Sequence, residues 1–219
     1  MKTDDDGAVR SVLRAFDLLA LFTEHRRTWA VKDLVAASGL AKTTVLRLIA
    51  TCEQRGLLWT RPDGRITVGP GMLRWAQLAN TAWQLPEAVR QVLRELARAC
   101  GETVSLYVRS TTVLVCVAQQ EGPQNIRHVG RVGDELPLRC GAAGRVLAGE
   151  GVAVSHGEPE PGASSVAAPV LDADGRLLAA LAITGPTTRF TAEAVTGFRV
   201  AVTEASHRVS RIGFGARPE

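Results

Sequence analysis

At 219 residues the chain is long enough for one large domain or two modest ones. Its hydrophobic fraction of 46% is ordinary for a globular protein, and no apolar run approaches the length of a membrane span. The formal charge of +4 and a pI near 9.2 permit a polyanionic partner without requiring one.

Met1-Lys2-Thr3 leads into Asp4-Asp5-Asp6, the wrong character for an export signal. Residues 1–8 read as a mobile tail. Its aspartates are either simply solvated or placed favourably ahead of a helix N-terminus. From Val9 to Thr23 an amphipathic helix is predicted, with Val12, Leu13, Phe16, Leu19, Leu21 and Phe22 on a broad apolar face. That breadth suits either chain pairing or core. Trp29 is expected in the core, and Ala30 is a poor cap for the helix that follows.

Residues 31–68 carry the strongest pattern. Val31, Leu34 and Val35 recur at helical spacing, and Gly39 suits the left-handed residue that ends a helix. A second helix follows, with Val45, Leu48, Ile49 and Cys52 as its expected buried stripe. Thr43, Thr44, Arg47 and Thr51 fall on the opposite side. Hydroxyls reach phosphates and base edges, and arginine reads guanine through O6 and N7. After Gly56 the period becomes strand-like, with Pro62-Asp63-Gly64 as the turn of a hairpin flanked by Arg61 and Arg65. Helix, turn, helix and basic hairpin read as a winged helix-turn-helix. Lys42, Thr43, Thr44, Arg47 and Thr51 are its candidate groove contacts, with Arg61 and Arg65 on flanking phosphate. The competing reading is a helical hairpin plus β-hairpin that only packs or docks a protein partner.

Gly69-Pro70-Gly71 ends this domain. Met72, Trp75, Ala76, Ala79 and Trp83 then repeat on one side of a linker helix, either as a dimer seam or as core. Pro86 opens another helix, which runs to about Cys100 with Val89, Val92, Leu93 and Leu96 buried. From Thr103 the composition turns to β. Residues 103–109 and 111–119 read as a hairpin, 125–132 as a third strand, and 166–171 and 177–184 as two more around the Asp172–Gly175 turn. Residues 149–165, rich in Pro, Gly and Glu towards their end, read as an exposed loop. A last helix is predicted from Thr191 to Ile212, capped by Thr191. The order gives an α+β domain.

Small residues crowd Leu136 to Gly144, ahead of a short helix predicted at 143–148. They either let free backbone N–H groups hold a carboxylate or merely allow a tight turn and close packing. Cysteines stand at 52, 100, 116 and 140 with no C-x-x-C, which disfavours a disulfide scaffold or zinc site and fits reduced thiols in a cytoplasm. Cys140 with His128 or His156 could suggest a thiol nucleophile and base, but no motif joins them, so no enzyme is expected. A redox-sensing thiol at Cys140 is the lesser alternative.

The chain resembles the IclR family of bacterial transcriptional regulators. In the first half the resemblance is carried by Leu34, Ser38-Gly39-Leu40, Lys42-Thr43-Thr44, Arg47-Leu48, Ala50-Thr51, Arg55-Gly56-Leu57, Gly64-Arg65 and Val68-Gly69-Pro70. In the second half it is carried by Gly133–Leu138, Ala142–Leu147, Gly162, Val166–Val170, Asp174-Gly175 and Gly185-Pro186. It implies a winged helix-turn-helix at 1–69, a linker helix at 70–84, and at 85–219 a GAF-like α/β effector and oligomerisation domain with helices on one side of its sheet. By position it carries the effector site onto Leu136, Ala142, Ala143, Ser155, Ser165, Ala182 and Thr184. The chain departs from the family pattern after Gly149, where further helices that would help cover the pocket are missing. The function implied is a cytoplasmic repressor that binds an operator as a homodimer or tetramer and senses a small organic acid or amino-acid-like effector. No cofactor and no metal are expected. One alternative is a regulator whose vestigial pocket leaves the second domain as an assembly module. The other is a protein-interaction module that binds no DNA.

Overall fold

The structure, a computed structural model, describes residues 8–127, 130–158 and 160–214. Asp4–Asp6 and His128 lie outside the described residues. The chain divides into two compact units, Met1–Thr81 and Ala82–Glu219. Among the described residues no single helix is long and apolar enough to cross a membrane.

The first unit contains α1 (Arg10–Ala20), β1 (Thr28–Trp29), α2 (Val31–Ser38), α3 (Lys42–Gln54), β2 (Leu58–Thr60) and β3 (Ile66–Val68), and leads into α4 (Met72–Ala82). Between α2 and α3 the chain bends by 112°, with Gly39 at φ 64° as the left-handed pivot. Such a bend is typical of a helix-turn-helix. Ala30 gives α2 no side-chain cap, and Asp33 stands in its first turn. The core joins Leu18, Trp29, Leu34, Val45, Ile49, Cys52, Leu58 and Ile66. Leu48 is half-buried and packs against that core from its edge.

Helix α1 carries two apolar stripes rather than one. Ala15, Leu18, Leu19 and Phe22 meet the core. Val12, Leu13 and Phe16 are centred about a third of a turn away and are 48%, 40% and 63% exposed. Helix α4 buries no residue, so Trp75 is not core as one of its two readings had it. The wing is a three-stranded sheet of order β1-β3-β2. Its edge strand β1 pairs Thr28 with Thr67 and Trp29 with Ile66. Two residues are too few to show a period, so β1 left no trace in the sequence pattern.

The second unit contains α5 (Glu87–Cys100), β4 (Thr103–Arg109), β5 (Val113–Gln120), β6 (Glu135–Pro137), α6 (Gly141–Leu147), β7 (Ala153–His156), β8 (Ala163–Leu171), β9 (Leu177–Pro186), a 3₁₀ turn (Thr187–Arg189) and α7 (Ala192–Ile212). The sheet order is β6-β5-β4-β9-β8-β7. Every pairing in it is antiparallel. Side chains alternate between its faces along β4 and the paired stretches of β8 and β9, with irregularities in register opposite Leu106/Tyr107 and at Val170/Leu171. Val104, Leu106 and Val108 of β4, with Val166, Ala168, Val170, Ala179, Leu181 and Ile183, pack on the stripes of α5 and α7. Tyr107, Ala167, Ala180 and Ala182 face the other way, onto α6. Helices therefore cover both faces, not one.

Two strand expectations need correction. The third strand is Glu135–Pro137, and residues 125–127 and 130–132 belong to no strand. The expected loop at 149–165 contains β7, which pairs with the start of β8 and sets Ser155 opposite Ser165. The strand is only four residues, with Ala153 on the α6 side and Val154 on the side of α5 and α7, too few and too mixed to show an alternation in sequence.

Candidate DNA-binding and effector sites

The open face of α3 follows from its core stripe. With Val45, Ile49 and Cys52 turned inward, Thr43, Leu46, Arg47, Ala50 and Gln54 are exposed at spacings of three and four residues. Lys42 is exposed in the first turn. The structure separates the predicted contacts into two groups. Thr43 and Arg47 share the open face, whereas Thr44 and Thr51 turn towards α1. There, with Arg47 at the rim, they line a groove of about 520 Å³ floored by Val12, Phe16, Leu19 and Leu48. The Thr51 hydroxyl donates to the Arg47 carbonyl at 2.8 Å. Leu46 and Ala50 were missed by sequence reasoning, although their spacing from Thr43 signals them. Both offer apolar contact of the kind that reads a thymine methyl.

At the wing the turn closes through Arg61 N–H to the Arg65 carbonyl at 2.9 Å. Arg61 lies 3.7 Å from the Asp63 carboxylate. The Arg65 guanidinium donates to the Thr28 hydroxyl at 3.2 Å and to the Thr28 carbonyl at 3.3 Å. Arg65 thus bridges two strands of the wing while keeping its charge uncompensated by either partner.

In the second unit Leu136, Ala142, Ala143, Ser165, Ala182 and Thr184 come together around one cavity, with Tyr107, Cys140 and Gly141 completing its lining. Ser155 is not in the lining but shares a hydrogen bond of 2.8 Å with the Ser165 hydroxyl. Tyr107 was missed, although strand register signals it. Ser105 pairs with Ala182 and Tyr107 with Ala180, so both side chains fall on the α6 face. Burial pushes the Tyr107 phenol up to about 12.

The cavity holds only about 20 Å³, room for one water. The leading N–H groups of α6, expected free, are taken. Gly141 N–H donates to the Glu158 carboxylate at 3.3 Å, and Ala142 N–H to the Ser165 hydroxyl at 3.2 Å. Burial raises the thiols of Cys52, Cys100, Cys116 and Cys140, and the Glu158 charge raises Cys140 further. No thiolate is favoured at any of them, which disfavours a reactive Cys140.

The loop into α6 is strained. Arg139 is the one non-glycine residue with positive φ among the described residues, at 132°. Gly144 packs so closely that an added Cβ would lie 2.9 Å from the Arg139 backbone nitrogen. Such strain costs about 1–3 kcal/mol and a glycine's extra unfolded-state freedom about 0.5–1 kcal/mol. Arg139 is exposed, so its side chain gives up little packing. Arg139→Gly is therefore expected to stabilise the second unit by about 1 kcal/mol. Denaturant unfolding measures this, and a loss of stability would show that the backbone there is unstrained.

Comparison with known proteins matches this architecture. The IclR helix-turn-helix domain model matches residues 11–62. The bacterial transcriptional regulator IclR C-terminal model matches residues 78–150 and 148–211, two pieces that meet where α6 runs directly on to β7. The HTH-type transcriptional regulator KipR of Bacillus subtilis is 24% identical over 245 residues, covering 94% of this chain and 98% of its own. An IclR-family transcriptional regulator of Rhodococcus sp. is 36% identical with a TM-score of 0.60, covering 98% of this chain and 97% of its own. An IclR homologue of Microbacterium hydrocarbonoxydans, solved with 4-hydroxybenzoate, is 18% identical with a TM-score of 0.72, covering 92% and 98%.

Proposed function

Since the chain belongs to the IclR family of bacterial transcriptional regulators, we propose that its winged unit grips an operator as a homodimer, with α3 in the major groove and the wing on flanking phosphate. The observation that carries this is the open face of α3. Lys42, Thr43 and Arg47 are exposed together after a 112° bend, with Arg61 and Arg65 on the wing that follows. Thr44 and Thr51 are assigned to the phosphate-facing margin, where a hydroxyl still serves as a contact. Pairing is supported by the outward stripe Val12, Leu13 and Phe16 on α1 and by exposed Leu73, Trp75 and Leu78 on α4. Large exposed apolar patches mark association surfaces. Repression follows from occupancy of a promoter and asks no further surface of the chain.

The second unit is proposed to sense a small organic acid at the cavity beside α6. Support comes from the convergence there of Leu136, Ala142, Ala143, Ser165, Ala182 and Thr184. The carboxylate carried by 4-hydroxybenzoate, bound by the Microbacterium homologue, suggests the ligand class. Against it, ligand pockets are commonly about 300–1,000 Å³, and this cavity is far smaller. That observation favours a second reading, in which the pocket is vestigial and the unit only assembles the oligomer.

Arg47→Ala is expected to weaken specific operator binding by about 1–3 kcal/mol, the worth of a bidentate base contact. Arg65→Ala should instead weaken binding to all sequences alike and flatten the salt dependence. Selection of genomic fragments followed by titration against the recovered site at several salt concentrations distinguishes them. Undiminished affinity of the Arg47 variant sinks the α3 assignment.

A further inference from the structure

We propose that Arg14 of α1 is a second DNA-backbone anchor of the winged unit, besides the wing. It holds a phosphate at the rim of the cleft between α1 and α3, together with the Ser11 and Thr44 hydroxyls. The occupant of that rim is the DNA strand bordering α3 on its α1 side. This rests on the reading that α3 enters the major groove.

The cleft has the charge and the donors for such a strand. Arg14, Arg47 and Arg55 line it with the hydroxyls of Ser11, Thr44 and Thr51, and no carboxylate lines it. All three arginines are exposed. Among the described residues none of their guanidiniums has a hydrogen bond or an ion pair, and the Ser11 and Thr44 hydroxyls have no partner either. The nearby acids in the sequence do not neutralise them. Glu53, the sole acid of α3, accepts from Thr60 N–H of β2 at 2.8 Å. Asp17, one turn along α1 from Arg14, is exposed and pairs with no cation among the described residues. In α5, by contrast, Arg90 and Arg94 share Glu87. Three like charges lining one cleft repel one another, and a polyanion relieves that repulsion.

Position singles out Arg14. Thr44 stands in the first turn of α3, beside exposed Lys42 and Thr43. A hydroxyl and a guanidinium converging on one margin are the usual donors to a phosphate oxygen. At about 100° per residue, Ser11 and Arg14 lie about 150° around α1 from the stripe Val12, Leu13 and Phe16. A second chain paired on that stripe leaves the anchor free.

Titration of the full chain over a range of salt concentrations, on its selected operator and on a random duplex, tests this. Arg14→Ala should make the slope of log K against log salt shallower by about 0.9, the share of one phosphate. It should weaken both duplexes alike, and Arg14→Lys should keep the native slope. Arg98→Ala removes the same charge from an exposed site on the second unit and should leave the slope unchanged. Thr44→Val should weaken binding less in the Arg14→Ala background than in the native chain, as two donors to one phosphate require. A native slope in Arg14→Ala, while Arg65→Ala flattens it, overturns the anchor and leaves the operator reading standing. Equal flattening by Arg98→Ala, a loss confined to the operator, or additive losses with Thr44→Val also overturn the anchor. A native chain that binds neither duplex overturns both readings.

Discussion

Replacing Gly69 by alanine is expected to destabilise the winged unit by about 3 kcal/mol and to cost it operator binding, with the second unit intact. An added Cβ there would lie 2.3 Å from the Gly56 carbonyl oxygen and 2.8 Å from the Leu58 carbonyl oxygen. Both are backbone atoms, so no side-chain rotation relieves the clash. The same junction is tied by Gly69 N–H to the Leu57 carbonyl and by Gly71 N–H to the Gly56 carbonyl, each at 2.8 Å. Relief would have to part the turn after α3 from the exit of β3 and move the wing away from α3. Overpacking costs about 1–3 kcal/mol, and rigid neighbours put this case at the upper end. A unit of this size holds on the order of 4–12 kcal/mol in all. Gly64→Ala is the comparison. Its φ of 75° is strained for alanine, but nothing lies within 4 Å of the added carbon, so about 1 kcal/mol is expected. Unit-resolved hydrogen exchange with operator titration measures both. Equal effects at the two glycines would mean that conformational strain, not close approach, is what Gly69 relieves.

The elements that were legible in the sequence are those whose packing repeats. Helix α5 shows Val89, Val92, Leu93 and Leu96 because one face meets a sheet, and all four are buried. Strands β4 and β9 show their alternation because one face takes Leu, Val and Ile while the other takes Ala, Ser and Thr. The same alternation exposes the cavity residues by register, including Tyr107, once β4 and β9 are known to pair. Strands β1 and β7 were not legible, being too short or too mixed to carry a period. In α1 the two stripes merge into one broad apolar face on paper. Only the fold shows which of them Leu18 anchors. Glu158 was out of reach for a different reason. Its partner Gly141 lies 17 residues away, and the contact depends on how a hairpin returns rather than on any local pattern.

Arg189→Ala is expected to cost the second unit about 3–5 kcal/mol, the penalty for stranding a buried charge. Glu102 is 2% exposed, at the threshold of β4. Arg189 grips it with both arms of its guanidinium: Nη2 is 2.7 Å from Oε2, and Nε bonds Oε1. Nη2 also donates to the Ile126 carbonyl at 2.9 Å. Room for the carboxylate exists because residue 185 has no side chain. A Cβ at Gly185 would lie 2.2 Å from the Glu102 Oε2. Removal of the arginine leaves the carboxylate in this slot without its cation. The reverse change is milder, because the Arg189 side chain is 33% exposed and its charge reaches water when Glu102 is gone. Glu102→Ala should therefore cost clearly less than Arg189→Ala, despite removing the same pair. Arg189→Lys should fall between them, since it keeps the charge and loses the fork. Urea unfolding of the three variants orders them. An Arg189→Ala cost no larger than that of Glu102→Ala would mean that water reaches the carboxylate in the variant. The ion pair would then only position the end of β9, where Thr184 borders the cavity.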